Sequence, residues 1–222
     1  LSVNGVKRLM DSNINPSRGF KFDVDITYEK NRFIEGLDLS DVGTLVEIWA
    51  NNDLWRMQQS SSLFFPIPTN NRMTISLESI AGTISNVEAD SFFHFFAGGL
   101  NGLKGYPFYS IEGKSIAIAT GTLRVPVFRE KHIPLGWFIM QNSTLGFIGQ
   151  IGDAWSQSID EPNWLRSVGI QWRINGFSFY NFPTAIGLEL HQGLDRFRRQ
   201  INNKSVTYGQ EQRFYLTILF GF

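Results

Sequence analysis

Apolar and polar residues alternate along this chain with the two-residue period of β-strands, most clearly at its end. Counting back from Phe222, the side chains of Phe222, Phe220, Ile218, Leu216 and Phe214 fall on one face of an extended segment. Gly221, Leu219, Thr217, Tyr215 and Arg213 fall on the other, which is smaller and more polar. Chain ends are ordinarily polar and frayed, whereas a strand that faces lipid has reason to be apolar along one side. The ending predicts an outer-membrane strand.

The same pattern appears near the other end. Phe20, Phe22, Val24, Ile26 and Tyr28 line one side of an extended segment, and Lys21, Asp23, Asp25, Thr27 and Glu29 the other. Successive charges on one face are costly in a dry core. They are tolerated where that face meets water, on a soluble sheet edge or along a wet barrel lumen. Alternation recurs at Val42–Ile48, Met73–Leu77, Ser115–Val125, Val168–Ile174 and Ile186–Leu190. Trp137–Ile151 reads as one long strand or two short ones, and Phe92–Phe96 is an aromatic run broken by His94. Polar, Gly-, Pro- or Asn-rich connectors are expected at Asn51–Asn71, Ser156–Asn163 and Gln192–Gln210. No helical periodicity is sustained and no internal repeat stands out. The expectation is about eight or nine strands, each near the ~10 residues that cross a tilted bilayer. Short connectors alternate with long ones, as in barrels with tight turns at one rim and long loops at the other.

Composition narrows the classes. The 222 residues are 42% hydrophobic, with 20 Phe and 6 Trp, enough for one large all-β domain rich in aromatics. No stretch of about 18 apolar residues exists, so a helical span is excluded, while a barrel escapes that test. Lys plus Arg equals Asp plus Glu at 20 each, which leaves no electrostatic footprint for nucleic acid. The absence of cysteine removes thiol catalysis, disulfides and Cys-based metal sites. The opening Leu1-Ser-Val-Asn-Gly has no signal-peptide order, and the missing initiator Met suggests an excised C-terminal piece of a longer chain.

More specific is Gly98-Gly-Leu-Asn-Gly-Leu-Lys-Gly-Tyr106, followed by Thr122-Leu-Arg-Val-Pro126. Asn15-Pro-Ser-Arg-Gly19 precedes them, and Ile151-Gly-Asp-Ala-Trp155 and the terminal aromatic strand follow. In this order they resemble the surface-antigen family, the barrel domain shared by outer-membrane assembly factors and two-partner secretion transporters. The resemblance covers essentially the whole chain. It implies a lumen loop carrying Leu103, Lys104, Gly105 and Tyr106, and a C-terminal insertion signal in Phe214, Leu216, Ile218, Phe220 and Phe222. In the family the loop carries an arginine that pairs with acids on the barrel wall. Here Lys104 stands at the arginine position, and Thr122 and Gln150 stand at the wall partners' positions. Lysine cannot form the planar fork of a guanidinium. The expectation is therefore a loop that enters the lumen without a strong charged lock. Gly102 and Gly105 are expected to serve turn conformations closed to other residues.

Catalytic chemistry is not indicated. His94, His132 and His191 lack metal-ligand spacing, and Gly98-Gly99 with Gly102 has no Lys-Ser/Thr or helix start after it, as a phosphate loop requires. Asp23 and Asp25 fit lumen solvation or pairing with a neighbouring strand's Arg or Lys better than acid–base work.

The expected fold is thus all-β: an antiparallel transmembrane β-barrel domain over residues 1–222, either the C-terminal half of a sixteen-stranded barrel or a small closed one. The expected function is insertion or translocation of proteins at the outer membrane of a Gram-negative-type bacterium, with no catalytic, metal or cofactor site. Expected partners are outer-membrane lipid, the barrel-assembly machinery, and unfolded or secreted protein substrates. Two alternatives stand beside it: a passive barrel anchoring an upstream soluble domain, and a soluble β-sandwich binding module.

Overall fold

A computed structural model describes residues 1–11, 16–39, 44–68, 73–85, 91–156, 163–179, 181–201, 204–209 and 211–220. In chain order the strands are β1 (Ser2–Met10), β2 (Gly19–Leu39), β3 (Leu45–Pro66), β4 (Thr74–Ile84), β5 (Phe95–Phe96), β6 (Glu112–Gly113) and β7 (Ser115–Phe128). There follow β8 (Ile133–Leu135), β9 (Phe138–Trp155), β10 (Leu165–Ser178), β11 (Phe182–Gly193), β12 (Phe197–Ile201), β13 (Lys204–Tyr208) and β14 (Gln212–Phe220). A 3₁₀ turn spans Ser91–Phe93, and α-helix is absent among the described residues.

Ten strands form one antiparallel sheet in the order β1-β2-β3-β4-β7-β9-β10-β11-β14, with β8 added beside β9. Sequential strands are neighbours throughout, as in a meander. The two other sheets are two-stranded hairpins, β5-β6 and β12-β13. Among the described residues β1 and β14 do not pair with each other, so the sheet ends in two open edges. Among the described residues no second large sheet covers either face.

Several boundaries differ from expectation. Ser2–Met10, which the alternation did not single out, is the first strand and pairs with β2 from Ser2↔Thr27 to Met10↔Gly19. The stretch expected to be a connector, Asn51–Asn71, is strand as far as Pro66. Its Asn, Gln and Ser residues hide it, because their polarity suits a wet sheet face as well as a loop. Trp137–Ile151 resolves into one long strand, β9. The expected connector Gln192–Gln210 contains the β12-β13 hairpin, and the run Phe92–Phe96 divides between the end of the 3₁₀ turn (Phe92, Phe93) and the short strand β5 (Phe95–Phe96). Val42, Asn15, Gly221 and Phe222 lie outside the described residues.

The two faces of the sheet differ in chemistry. One exposes Leu63, Leu77, Phe147, Ile170, Leu216 and Ile218, all large and apolar, on β3, β4, β9, β10 and β14. Aromatic residues border this band at both ends. Trp55 beside Tyr28 (ring centroids 4.9 Å) and Trp155 beside Trp164 (6.3 Å) mark one end; Trp137 stacked on Phe179 (5.3 Å) marks the other. The opposite face carries Asp23, Gln150, Gln171 and Glu189. Asp23, as expected for a lumen-type face, is paired with Lys21 at 2.8 Å and with Arg8 of β1 at 3.9 Å. Connections 11–18, 67–73, 129–137 and 179–181 lie at one end of the sheet, and the long connections 85–114 and 194–211 both lie at the other.

The buried core sits between the polar-bearing face and the long connection. Phe93, Phe95, Leu103 and Tyr106 from the connection pack with Leu54, Ile84 and Ile118 of the strands. Full burial of one such side chain contributes about 1.5–3 kcal/mol. Phe197 of the β12-β13 hairpin packs against the same cluster.

Candidate functional site

Between β4 and β7 the chain folds back across the sheet and closes on itself. The Leu103 amide donates to the Ala97 carbonyl at 2.6 Å, Gly99 N–H to the Tyr106 carbonyl at 3.0 Å, and Ala97 N–H to the Ile111 carbonyl at 2.9 Å. Leu103 and Tyr106, both expected in the lumen loop, have no solvent exposure. Gly102 and Gly105 are needed for a reason other than the one expected. Neither has positive φ. A Cβ at Gly102 would stand 2.0 Å from the Ala97 carbonyl oxygen, and one at Gly105 would stand 2.5 Å from the Gly193 amide of β11. Both glycines permit close backbone approach, the second directly onto the wall of the sheet.

Lys104 is held by three strands. Its N–H donates to Gln150 Oε1 of β9 at 2.9 Å, and its carbonyl accepts the Tyr215 hydroxyl of β14 at 2.9 Å. Its Nζ lies 2.5 Å from Glu189 Oε2 of β11. The expectation of a loop without a charged lock is therefore corrected: the wall carboxylate is present, on a different strand from the two positions expected to hold it. Glu189 is only 5% exposed and also accepts from Gln171 Nε2 at 2.5 Å, with His191 Nε2 at 2.9 Å. Each carboxylate oxygen thus has a partner, which is the condition for keeping a charge in so enclosed a place.

Of the two expected wall partners, the structure brings one to the loop. Gln150 accepts from Lys104 and from Ser167 Oγ (2.9 Å), and its Nε2 donates to the Gly102 carbonyl at 2.8 Å. An amide serves here because it can donate and accept at once, clamping two backbone groups of the loop. Thr122 is buried on the same face and borders the same space but has no hydrogen bond to the loop. That space is a polar cavity of about 530 Å³, also bordered by Glu78, Arg124 and Arg173.

Tyr106 anchors the far side of the loop. Its hydroxyl lies 2.8 Å from the Arg166 carbonyl and 3.0 Å from the Asp195 carbonyl, and accepts the Asp195 N–H at 3.1 Å. Burial pushes this phenol above its ordinary pKa. Asp195 is itself tied to Arg166 by a bidentate pair at 2.7 and 3.0 Å, and the hydrogen bonds of that pair hold its carboxyl below the ordinary range. The β12-β13 hairpin then covers the loop. Phe197 packs on Tyr106 with ring centroids 5.9 Å apart, and Arg199 pairs with Glu112 of β6. Glu112 also meets His94 Nδ1 at 2.8 Å. Burial alone would raise the Glu112 carboxyl, but hydrogen bonds from Arg199 and His94 outweigh it and hold it below the ordinary glutamate range.

The expected Asp153 of Gly-Asp-Ala-Trp accepts the backbone N–H groups of Ala154 and Asn163, each at 2.8 Å, and so fixes the start of the β9–β10 connection. Phe214, Leu216, Ile218 and Phe220 lie on the exposed apolar face of β14, the side opposite to Tyr215 and the loop it holds; Phe222 lies outside the described residues. Sequence reasoning missed Glu189, Gln171, Tyr215 and the Arg166–Asp195 pair. Glu189 and His191 alternate with leucines along one strand, a visible signal for a polar face, but nothing local shows that this strand passes under Lys104. Among the described residues no His, Asp and Glu cluster of metal-holding geometry occurs.

Comparison with known proteins adds no relative: no protein-family model matches the chain, and no match to it is found among curated proteins.

Proposed function

We propose that this chain is the C-terminal portion of a surface-antigen-type outer-membrane β-barrel that acts in insertion or translocation of proteins at that membrane. The observation that carries the reading is the pairing of faces on one sheet. An exposed apolar band bordered by aromatic residues lies on one side, and a polar side holds a folded-back loop through Lys104, Gln150 and Glu189. A contiguous apolar surface of that extent has to be covered, and lipid with aromatic residues at its two boundaries is the covering that needs no further chain. The open edges of β1 and β14 would be occupied by further strands of the same barrel, since lipid cannot satisfy free backbone groups. The loop lock favours an active role over passive anchoring: a docked loop under a covering hairpin is a device for holding the lumen in one state.

Reconstitution in vesicles of mid-chain-brominated lipid tests the membrane reading. Trp172, in a single-Trp background, should be strongly quenched and Trp137 weakly. Recovery of the chain as a monomer from the aqueous fraction without detergent would overturn it. Vesicles carrying the protein should then accelerate assembly of an added unfolded barrel protein; no acceleration over empty vesicles would leave anchoring as the role.

A further inference from the structure

Beyond the level of Trp55 and Tyr28, β2 and β3 leave the sheet and continue as a two-stranded ribbon. Pairing of β1 stops at Thr27 and pairing of β4 stops at Arg56, whereas β2 and β3 stay paired out to Leu39↔Leu45. The ribbon therefore rises about 30 Å beyond the sheet. Near its base Phe33 meets Phe93 edge-on at 5.9 Å; beyond that contact a two-stranded ribbon standing alone is marginal in water, and this one is not dressed for water. Ile34, Leu37, Leu39, Leu45 and Trp49 are exposed along one side. A bulge at Ile34/Gly36 turns Phe33 to the other side, with Val46 and Ile48.

The base of the ribbon carries both signs, Glu29, Lys30, Arg32 and Asp53, with Arg32 over the Trp49 ring at 5.0 Å, but the charge on its outer part is of one sign. Among described residues from 33 to 50 the charged side chains are Glu35, Asp38 and Glu47, with no Lys or Arg. At the same end of the sheet, but at the far side of the strand order, stands the β12-β13 hairpin with the opposite bias. Asp195 at its base is taken by Arg166 and Arg199 by Glu112, which leaves Arg198 and Lys204 exposed on the hairpin. An acidic, apolar ribbon and a basic hairpin with free backbone edges are complementary in charge and in pairing mode.

We propose that the ribbon of one copy docks on the β12-β13 hairpin of a second copy. Each copy carries both halves, so a two-fold arrangement satisfies both contacts at once and closes as a dimer. This goes beyond the barrel reading and depends only on where the two elements stand.

The test is sedimentation equilibrium of the full chain in detergent micelles, over a concentration series and at two salt strengths. A reversible dimer weakened by salt is expected. Glu35→Lys with Glu47→Lys should raise the dissociation constant about tenfold or more, and so should Arg198→Glu with Lys204→Glu. The four substitutions together should restore dimerisation. All four side chains are exposed, so unchanged strand content by circular dichroism is the folding control, and the salt series on the unaltered chain stands independently of the variants. A monomer at every concentration would overturn the proposal. So would a dimer indifferent to charge reversal and salt, or single-sided reversals that the combined variant fails to rescue.

Discussion

Removing the Lys104 charge tests the lock most directly. Lys104→Met keeps the aliphatic stem and the backbone hydrogen bonds to Gln150 and Tyr215 while deleting the ion pair with Glu189. Breaking a fully buried pair costs about 3–5 kcal/mol, because the orphaned charge stays dry, whereas an exposed pair contributes about 0.2–1 kcal/mol. Here the Lys104 side chain is 20% exposed and Glu189 5%, and Glu189 keeps Gln171 and His191 as partners. The expected loss lies between the two limits, about 2 kcal/mol. Urea unfolding from lipid vesicles, followed by tryptophan fluorescence, measures it. Glu189→Gln and the double variant complete a thermodynamic cycle, with an expected coupling of about 1–2 kcal/mol. Hydrogen exchange should quicken at the amides of Leu103 and Tyr106 in Lys104→Met and stay unchanged in β9 and β10. Strictly additive single losses, or uniform quickening across the sheet, would refute the lock.

The remaining predictions concern the faces, the anchor and the cover of the loop. Ile218→Arg, on the exposed apolar side of β14, should cost about 2–4 kcal/mol in the same vesicle assay, and the neighbouring Thr217→Lys on the other side far less; equal losses would show that the faces are not lipid and lumen. Tyr106→Phe should cost about 1–3 kcal/mol by leaving the Asp195 N–H without its acceptor in a buried place, measured as a lower urea midpoint with an unchanged slope. For pH, the Glu112 carboxyl is depressed in the folded protein, so its contribution is complete above the ordinary glutamate value and is lost as pH falls through the folded value. Acidification below the ordinary glutamate value should therefore loosen the β12-β13 hairpin, read as faster proteolysis near Arg198. Glu112→Gln should be loosened at neutral pH and lose that pH step.

Much of the architecture is written in local residue order. Alternation along Phe214, Leu216, Ile218 and Phe220 assigns a face without any knowledge of neighbours, because the period of a strand is a property of its backbone. The same rule works for Phe22 against Asp23. It fails at Asn51–Pro66, where both faces carry polar residues over part of the length and a strand resembles a loop until its neighbours satisfy the backbone. It also fails at Ser2–Met10, whose partner β2 supplies the evidence that it is a strand.

The site divides in the same way. Leu103, Lys104, Gly105 and Tyr106 are singled out only by their resemblance to the lumen-loop motif of the surface-antigen family, and Gln150 by its standing at a wall partner's position in that resemblance. Glu189 is not, since it lies 85 residues from Lys104 along the chain and meets it only through the register of β9, β10 and β11. The sequence by itself determined the all-β character and, where alternation is clear, which residues share a face. The tertiary structure decided the rest: the extent of the sheet, its open edges, the carboxylate that holds the lysine, and the reason for Gly105. Each of these depends on contacts between strands distant in sequence, and a strand's period carries no information about its neighbours' identity.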